Sequence, residues 1–418
     1  MQNQCAAEAG YSGCAGLIGG IGPRSKMLTA EVPCVENSEW KIQEVRFSMA
    51  VISQVIVYIM VVFMAIAALD RMFGNRFGLG EQFEEGFNAL GGLALGMAGI
   101  MVTANLIGQV LTPSVGALFK MVGADPCMAG SLILSIDTGG YALAHAIQPN
   151  DPDIANYSAI ILASMMGPTI AFSIPICLGI IQPKDKKFLA LGALSGIVCI
   201  PFACIVGGLV AGFNPGMVII NIIPVAIFAL LIALGLKLIP NGMIKGFDVF
   251  SKLMVAYLSF FLALAVIQEL TPIHVIDLLP LSDVWTTCGS IAMMLAGAYP
   301  LVKVLTKVLS KPLGKMGGLI GVNDVSIAGL IACCANCIPA YNLMKDMDNK
   351  GKVINVAFSA CAAFARGDHL GFCAGVEPDL IAPMVIAKLF GGILAIGAAC
   401  VVCKMNASQL ADDPEPAK

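Results

Sequence analysis

"LGKMGGLIGVNDVSIAGLIACCANCIPAYNLM", residues 313–344, is apolar for most of its length but interrupted by Asn323, Asp324, Asn336 and Pro339. Read as a single crossing of a bilayer, it puts Lys345, Lys350 and Lys352 on the face opposite Lys303, Lys307, Lys311 and Lys315. Read as a hairpin that enters and returns, it keeps all of them on one face. Short loops rich in Lys and Arg stay cytoplasmic. The reading of this stretch therefore sets the topology of everything around it.

The rest of the chain shows that a bilayer is the right solvent to consider. Hydrophobic residues make up 58% of the 418 residues and charged residues 12%, and mean hydropathy is +0.87. A soluble domain carries about 25% charged residues. Apolar runs near the ~20 residues that a membrane helix needs fall at about 50–69, 88–111, 157–180, 188–213, 216–238, 248–268, 284–305, 352–373 and 380–403. A second interrupted stretch, 113–146, joins 313–344. The expected fold is all-α and integral to the membrane: a polytopic helical bundle of about nine spans plus two re-entrant hairpins, or about eleven spans if both stretches cross.

Composition excludes several functions. The net charge of −3 is spread over separate loops and points to no charged macromolecule, nucleic acid included. The 15 cysteines lie mostly inside spans as small apolar fillers, which is not the pattern of a secreted disulfide framework. "CCANC" (333–337) holds a C-x-x-C spacing, but in an apolar helix without a second cysteine pair or a nearby histidine it reads as packing. There are 3 histidines and no zinc-protease, Walker or dinucleotide fingerprint. No cofactor or metal is expected.

Residues 1–48 break the pattern, with no span and no clear period. They lack the basic start and sustained apolar core of a signal peptide, and no apolar run makes Cys14 a lipidation site. Met49 opens directly onto a span, and "QEV" (43–45) can be encoded by a purine-rich run resembling a bacterial ribosome-binding site. The expectation is a leader over 1–48 outside the native fold; a disordered tail is the alternative.

From Met49 onward there are 20 Lys and Arg residues, of which 17 fall in loops on one side: near 71–76, 184–187, 237–252, 303–315, 345–352 and 404–418. The loops near 147–156, 212–216, 270–283 and 374–379 hold none and carry Asp151, Asp153, Asp277, Glu377 and Asp379 instead. Every loop takes its expected side only if both interrupted stretches are hairpins, which leaves Lys120 as the exception and Arg366 and Lys388 within spans. The two stretches also match at an offset of 199: Pro113 with Pro312, Asp125 with Asp324, Ala129-Gly130 with Ala328-Gly329, and Asp137 with Asn336. One residue further, Gly167 and Phe172 match Gly367 and Phe372. The implied organisation is a first transmembrane repeat over 49–213, a linking span over 214–247, an inverted second repeat over 248–404 and a cytoplasmic tail over 405–418. Secondary transporters are commonly built so, with substrate near the midplane where helices break.

Carboxylates inside spans are the first site candidates, because each costs about 2.5–3.5 kcal/mol to insert and so normally faces a cavity or a partner. Asp137 lies in "LSIDTGGYALA", where Gly139-Gly140 lets the helix unwind; a hydrogen-bonded helix break is the plain alternative to substrate contact. Asn336, its repeat partner, precedes Pro339 and serves as a site amide or as an interhelical hydrogen bond. Asp368 and His369 sit between Gly367 and Gly371, again suggesting an opened helix; Arg366 either neutralises Asp368 or points away from it. His369 is a hydrogen-bond donor or a titrating group. "GPTIAFSIP" (167–175) has two prolines that bend or break its span and leave Thr169 and Ser173 as lining candidates. In "GEQFEEGF" (80–87), Glu81 reads as a charged cap, while Glu84 and Glu85 are candidates for an acidic vestibule. Carboxylates outnumber intramembrane cations, so the site suits a small cationic solute.

"QFEEGF" (82–87), "SMMGPTIAFSIPICLGII" (164–181) and "KVINVAFSACAAFARGDHLGF" (352–372) closely resemble the ethanolamine transporter family of bacterial ethanolamine-utilisation operons, EutH. The resemblance runs from about Met49 to Cys403; Arg366 stands where that family's pattern has a neutral residue. It implies an inner-membrane permease for ethanolamine, not an enzyme, with the lipid bilayer as its other partner; a homo-oligomer is compatible with it. A carboxylate, Asp368 or Asp137, would take the ammonium, and an amide such as Asn336 the alcohol. The alternatives are an intramembrane enzyme and a membrane sensor or scaffold. An aspartyl intramembrane protease needs G-x-G-D and Y-D; here the local string is A-R-G-D, and no Tyr-Asp pair occurs in the chain.

Overall fold

The computed structural model describes residues 35–314 and 320–407, with side chains over 41–308 and 320–407. Most of the expected leader (1–34) and tail (408–418) lie outside the described residues, which contain helices and no strand.

Both interrupted stretches turn back on themselves. After α1 (Val35–Met72) and α2 (Leu79–Leu111), the chain forms α3 (Val115–Met121), α4 (Cys127–Ser131), a tip turn at Ile136–Thr138 and α5 (Gly140–Ile147). Gly139 closes the tip at φ +91°, a conformation that glycine adopts without steric cost. The ends of this hairpin are tied together. Gln148 Nε2 donates to Asp125 Oδ2 at 2.6 Å, and the Asp125 N–H donates to Asn221 Oδ1 at 2.7 Å. α6 (Pro152–Asn156), α7 (Ile174–Ile180), α8 (Lys186–Ile197), α9 (Ile200–Val210), α10 (Pro215–Leu238), α11 (Pro240–Leu270) and α12 (Leu281–Gly314) follow. The second hairpin then runs through α13 (Asp324–Cys333) and α14 (Cys337–Asn342). Asn323 closes it, donating from Nδ2 to the Asp346 carbonyl at 3.0 Å and from its N–H to Asp348 Oδ1 at 2.9 Å. α13 has 10 residues; at 1.5 Å per residue that is about 15 Å, half the ~30 Å hydrocarbon core. An arm of this length reaches the midplane and returns.

Eight helices among the described residues are long and apolar enough to cross. The crossing expected at 352–373 is made by two shorter pieces, α15 (Asn349–Ala362) and α16 (Asp368–Val376), before α17 (Ile381–Met405) closes the fold. The crossing at 152–180 is interrupted too, by wide π turns at Tyr157–Leu162 and Thr169–Ser173. Pro168 and Pro175 have no N–H to give the ladder, and the bend read from "GPTIAFSIP" is there. These two interrupted crossings form the core: Tyr157, Ile160, Ile161, Leu162 and Met165 are wholly buried, as is α15 from Gly351 to Ala362. α1, α10 and α11 instead turn Tyr58, Leu230 and Leu253 outward, as lipid-facing helices must.

Each hairpin tip is stitched to the break in a neighbouring crossing. The Ile136 N–H donates to the Ala163 carbonyl at 3.0 Å, and the N–H groups of Phe364 and Arg366 donate to the carbonyls of Cys333 and Cys334 at 3.2 and 2.8 Å. A Cβ at Gly167 would strike the carbonyl oxygen of Leu134, and one at Gly367 that of Ala335. The two glycines matched in the sequence thus have the same role, letting a broken helix approach a hairpin tip. Larger packing follows the same correspondence: α1 packs on α12 as α11 packs on α2, and α2 packs on α12.

Charges group at the ends as the loop pattern expects. At one end Lys303 Nζ donates to the Gly78 carbonyl at 2.8 Å, Lys350 reaches the Ile320 carbonyl, and Lys352 meets Asp185 at 2.7 Å in a buried pair. At the other, Tyr141 Oη donates to Glu377 Oε1 at 3.1 Å and Ser53 Oγ to the Asp379 carbonyl at 3.0 Å. α1 includes residues 35–48 of the expected leader, and there Arg46 pairs with Asp153 and donates to the Gly212 carbonyl at 3.0 Å. With the basic end cytoplasmic, single cysteines at Asn150 and Asp379 are expected to react with an impermeant thiol reagent added outside intact cells. Those at Lys186 and Lys345 should react only after the membrane is opened; external labelling at Lys345 would mean that the second hairpin crosses.

Candidate substrate site at the broken helices

A cavity of about 720 Å³ lies where the first hairpin tip meets the broken crossings, walled by α2, α11 and residues 168–176. Asp137 and Thr138 enter it from the tip, Asp368 and His369 from the start of α16, and Tyr299 from α12. Phe172 and Phe364 form an apolar wall, their rings edge to face at 5.7 Å. Phe364 holds φ +63°, a strained backbone for an aromatic residue, and its ring lies 5.0 Å from that of His369.

Local structure fixes each polar group. The tip turn is held by the Ser135 N–H donating to Thr138 Oγ1 at 2.9 Å, which leaves the Asp137 carboxylate 27% exposed into the cavity. His369 is 0% exposed, with Nε2 3.9 Å from Asp137 Oδ2. Its Nδ1 lies 3.2 Å from Lys388 Nζ. Lys388, on α17, is 1% exposed and also donates to the Ser164 carbonyl. Asp368 Oδ1 accepts a 2.6 Å hydrogen bond from Tyr299 Oη. Tyr299 and Asp368 also line a second cavity of about 360 Å³, together with Gln82, Glu85, Lys303 and Asn336. Their hydrogen bond stands between the two chambers, the second of which lies toward the basic end.

Of the residues singled out in the sequence, Asp137, Asp368 and His369 therefore come together. Asn336 does not join them. It lines the second chamber, and its Oδ1 accepts from the Ile338 N–H at 2.9 Å as the cap of α14. Glu85 lines that chamber as well, within electrostatic reach of Asp368. Glu84 lies outside both, in an exposed pair with Arg71 at 3.4 Å. Arg366 turns away from Asp368: its Nη2 reaches the Ile331 carbonyl at 3.4 Å, and it lines an apolar crevice with Leu330 and Phe358. Tyr299, not Arg366, holds Asp368. Thr169 spends its hydroxyl on the carbonyls of Met165 and Ala360 at 2.7 and 2.8 Å, joining two crossings. Ser173 meets Cys337 Sγ at 3.7 Å.

Tyr299 and Lys388 are the site residues that sequence reasoning did not single out. Each had a signal. Tyr299 precedes Pro300 within an apolar span, and Lys388 is a cation in the 380–403 run, which is a functional mark by default. With both carboxylates ionised, the main cavity sets two negative charges against the single ammonium of Lys388. Such a cavity favours a further cation.

Comparison with known proteins gives the family. Residues 52–402 match the family described as "Ethanolamine utilisation protein, EutH". A Listeria monocytogenes protein named "Probable ethanolamine permease EutH" is 49% identical over 346 residues, covering 82% of this chain and 92% of its own. Proteins of the same name from Salmonella typhimurium and Escherichia coli are each 44% identical, covering 87% and 84% of this chain and 99% and 95% of their own. No solved structure matches the chain. Matched across nearly all of its crossings, this multi-pass membrane protein belongs to the EutH family of ethanolamine utilisation proteins.

Proposed function

We propose that the chain is an ethanolamine permease of the bacterial cytoplasmic membrane, not an enzyme, and that it takes up the protonated amino alcohol through the cavity lined by Asp137 and Asp368. The observation that carries this reading is the pair of carboxylates facing one midplane cavity with a single fixed cation beside them. The names of its relatives supply the substrate. The corresponding halves, each with a hairpin tip against a broken crossing, support inverted repeats of the kind that secondary transporters use. Tyr299–Asp368 then divides the site from an inner chamber with Glu85 on its wall, and breaking that hydrogen bond opens the way to the basic end.

A primary amine with a pKa near that of lysine, about 10.4, is almost wholly protonated at neutral pH. The neutral fraction that leaks through lipid falls about tenfold for each unit of acidification. A permease that takes the ammonium is therefore most valuable in acid or at low substrate. Uptake of radiolabelled ethanolamine into proteoliposomes tests this. Leak into protein-free vesicles is expected to fall about a hundredfold from pH 8 to pH 6, while protein-dependent uptake falls far less. Parallel decline of the two would mean that the neutral amine is the species carried. Absence of protein-dependent uptake at every pH would remove the permease reading.

A further inference from the structure

We infer that Lys388 locks His369 with its ring proton on Nε2, and that this N–H is the group that reads the hydroxyl of an amino alcohol. The inference rests on the permease reading and assigns a second half to the same site. Lys388 Nζ and His369 Nδ1 lie 3.2 Å apart; a charged Lys388 has protons and no lone pair, so in that state it donates to Nδ1. Nδ1 is then the acceptor, and the neutral ring must carry its proton on the other nitrogen. Lys388 is held firmly in place to do this, being buried and directing a second proton at the Ser164 carbonyl.

Nε2 has no hydrogen-bond partner although it is buried. Asp137 Oδ2, at 3.9 Å, is beyond hydrogen-bond range. A donor left unpaired in a buried site is costly, and in a cavity wall it is most simply explained by a ligand that completes it. His369 and Asp137 both line the cavity, and the buried Nε2 is 3.9 Å from the Asp137 carboxylate. An ammonium that draws the Asp137 carboxylate toward itself uncovers Nε2 for an oxygen two carbons away. The site then holds acceptors for the nitrogen and a donor for the oxygen. Lys388 is a positioning residue, acting through His369 without touching the solute.

Competition against radiolabelled ethanolamine uptake, with unlabelled ethanolamine or ethylamine, reads the hydroxyl directly. The wild type is expected to prefer ethanolamine by about two- to tenfold, the net worth of one hydrogen bond. His369→Leu should bring that ratio to about one. Lys388→Met frees the ring to take either tautomer and should lower the ratio. Lys388→Gln, which keeps an N–H donor for Nδ1 without the charge, should restore it. Equal competition by the two amines in the wild type overturns the inference and leaves the permease reading intact; loss of all ethanolamine uptake in the wild type would overturn the reading itself. Should the variants fold poorly, ¹⁵N-histidine NMR of the wild-type protein in detergent reports the tautomer. The chain has 3 histidines, so His145→Gln and His274→Gln spectra identify His369. A proton on Nδ1 of His369 overturns the proposal; a proton on Nε2 supports it.

Discussion

The double variant Asp137→Asn/Asp368→Asn is expected to bind ethanolamine about 10²- to 10⁴-fold more weakly while still inserting and migrating as the wild type does. Each carboxylate offers the ammonium a charge-assisted hydrogen bond worth roughly 1.5–3 kcal/mol. Two of them give about 3–6 kcal/mol, at tenfold per 1.4 kcal/mol. Each single change should cost about ten- to a hundredfold, and the pair need not add, because the groups share one cavity. Asparagine keeps the shape and hydrogen-bonding capacity of aspartate, so the Tyr299 contact to Asp368 at 2.6 Å survives in form. Glu84→Gln is the control. Its exposed pair with Arg71 is worth about 0–1 kcal/mol, and uptake should hardly change. Saturation curves for proteoliposome uptake at pH 6 check all of these.

The second large effect concerns folding. Lys352→Met should destabilise the protein by about 3–5 kcal/mol, because removing one member of a buried ion pair strands the other. The Lys352 and Asp185 side chains are 6% and 1% exposed and meet at 2.7 Å. The pair joins α15, in the core, to the turn before α8, so its loss loosens a broken crossing. That is a large share of the 5–15 kcal/mol by which proteins are usually stable. Folded protein recovered in mild detergent should drop sharply, and the apparent melting temperature with it. Replacing both charges, as Asp185→Leu/Lys352→Met, should restore most of the yield, since well-packed apolar pairs often equal buried ionic ones. No recovery in the double variant would show that the pair does more than balance its own charges.

Much of this fold was legible because hydropathy and loop charge are strong, separate signals. A hairpin at 313–344 was the reading that kept Lys345, Lys350 and Lys352 on one face with Lys303, with a full crossing as its alternative. The matched glycines 167 and 367 marked the two breaks. The site was legible to the level of residue type. Asp137, Asp368 and His369 stood out because ionisable groups at midspan need a reason. Their partners did not, because a partner is set by which helices pack together. Arg366 is two residues from Asp368 in sequence, yet the break at 363–367 turns the two side chains to different crevices. Asn336 matches Asp137 at the offset of 199, but the two line different chambers. Lys388 was counted as a charge and not placed, since nothing local says that α17 lays it against His369.

Ethanolamine is expected to bind between the first hairpin tip and the start of α16. Substrate protection tests it most directly. A single cysteine at Ala171, on the cavity wall, and another at Met64, in the apolar crevice between α1 and α12, are placed in a background whose accessible thiols have been replaced. Each is labelled with a small thiol reagent in the presence and absence of ethanolamine. Ethanolamine should slow labelling at Ala171→Cys in a saturable way and leave Met64→Cys unchanged, and Asp137→Asn/Asp368→Asn should abolish the protection. Labelling at Ala171→Cys that is indifferent to saturating ethanolamine, in a protein that still transports it, would contradict the proposed location.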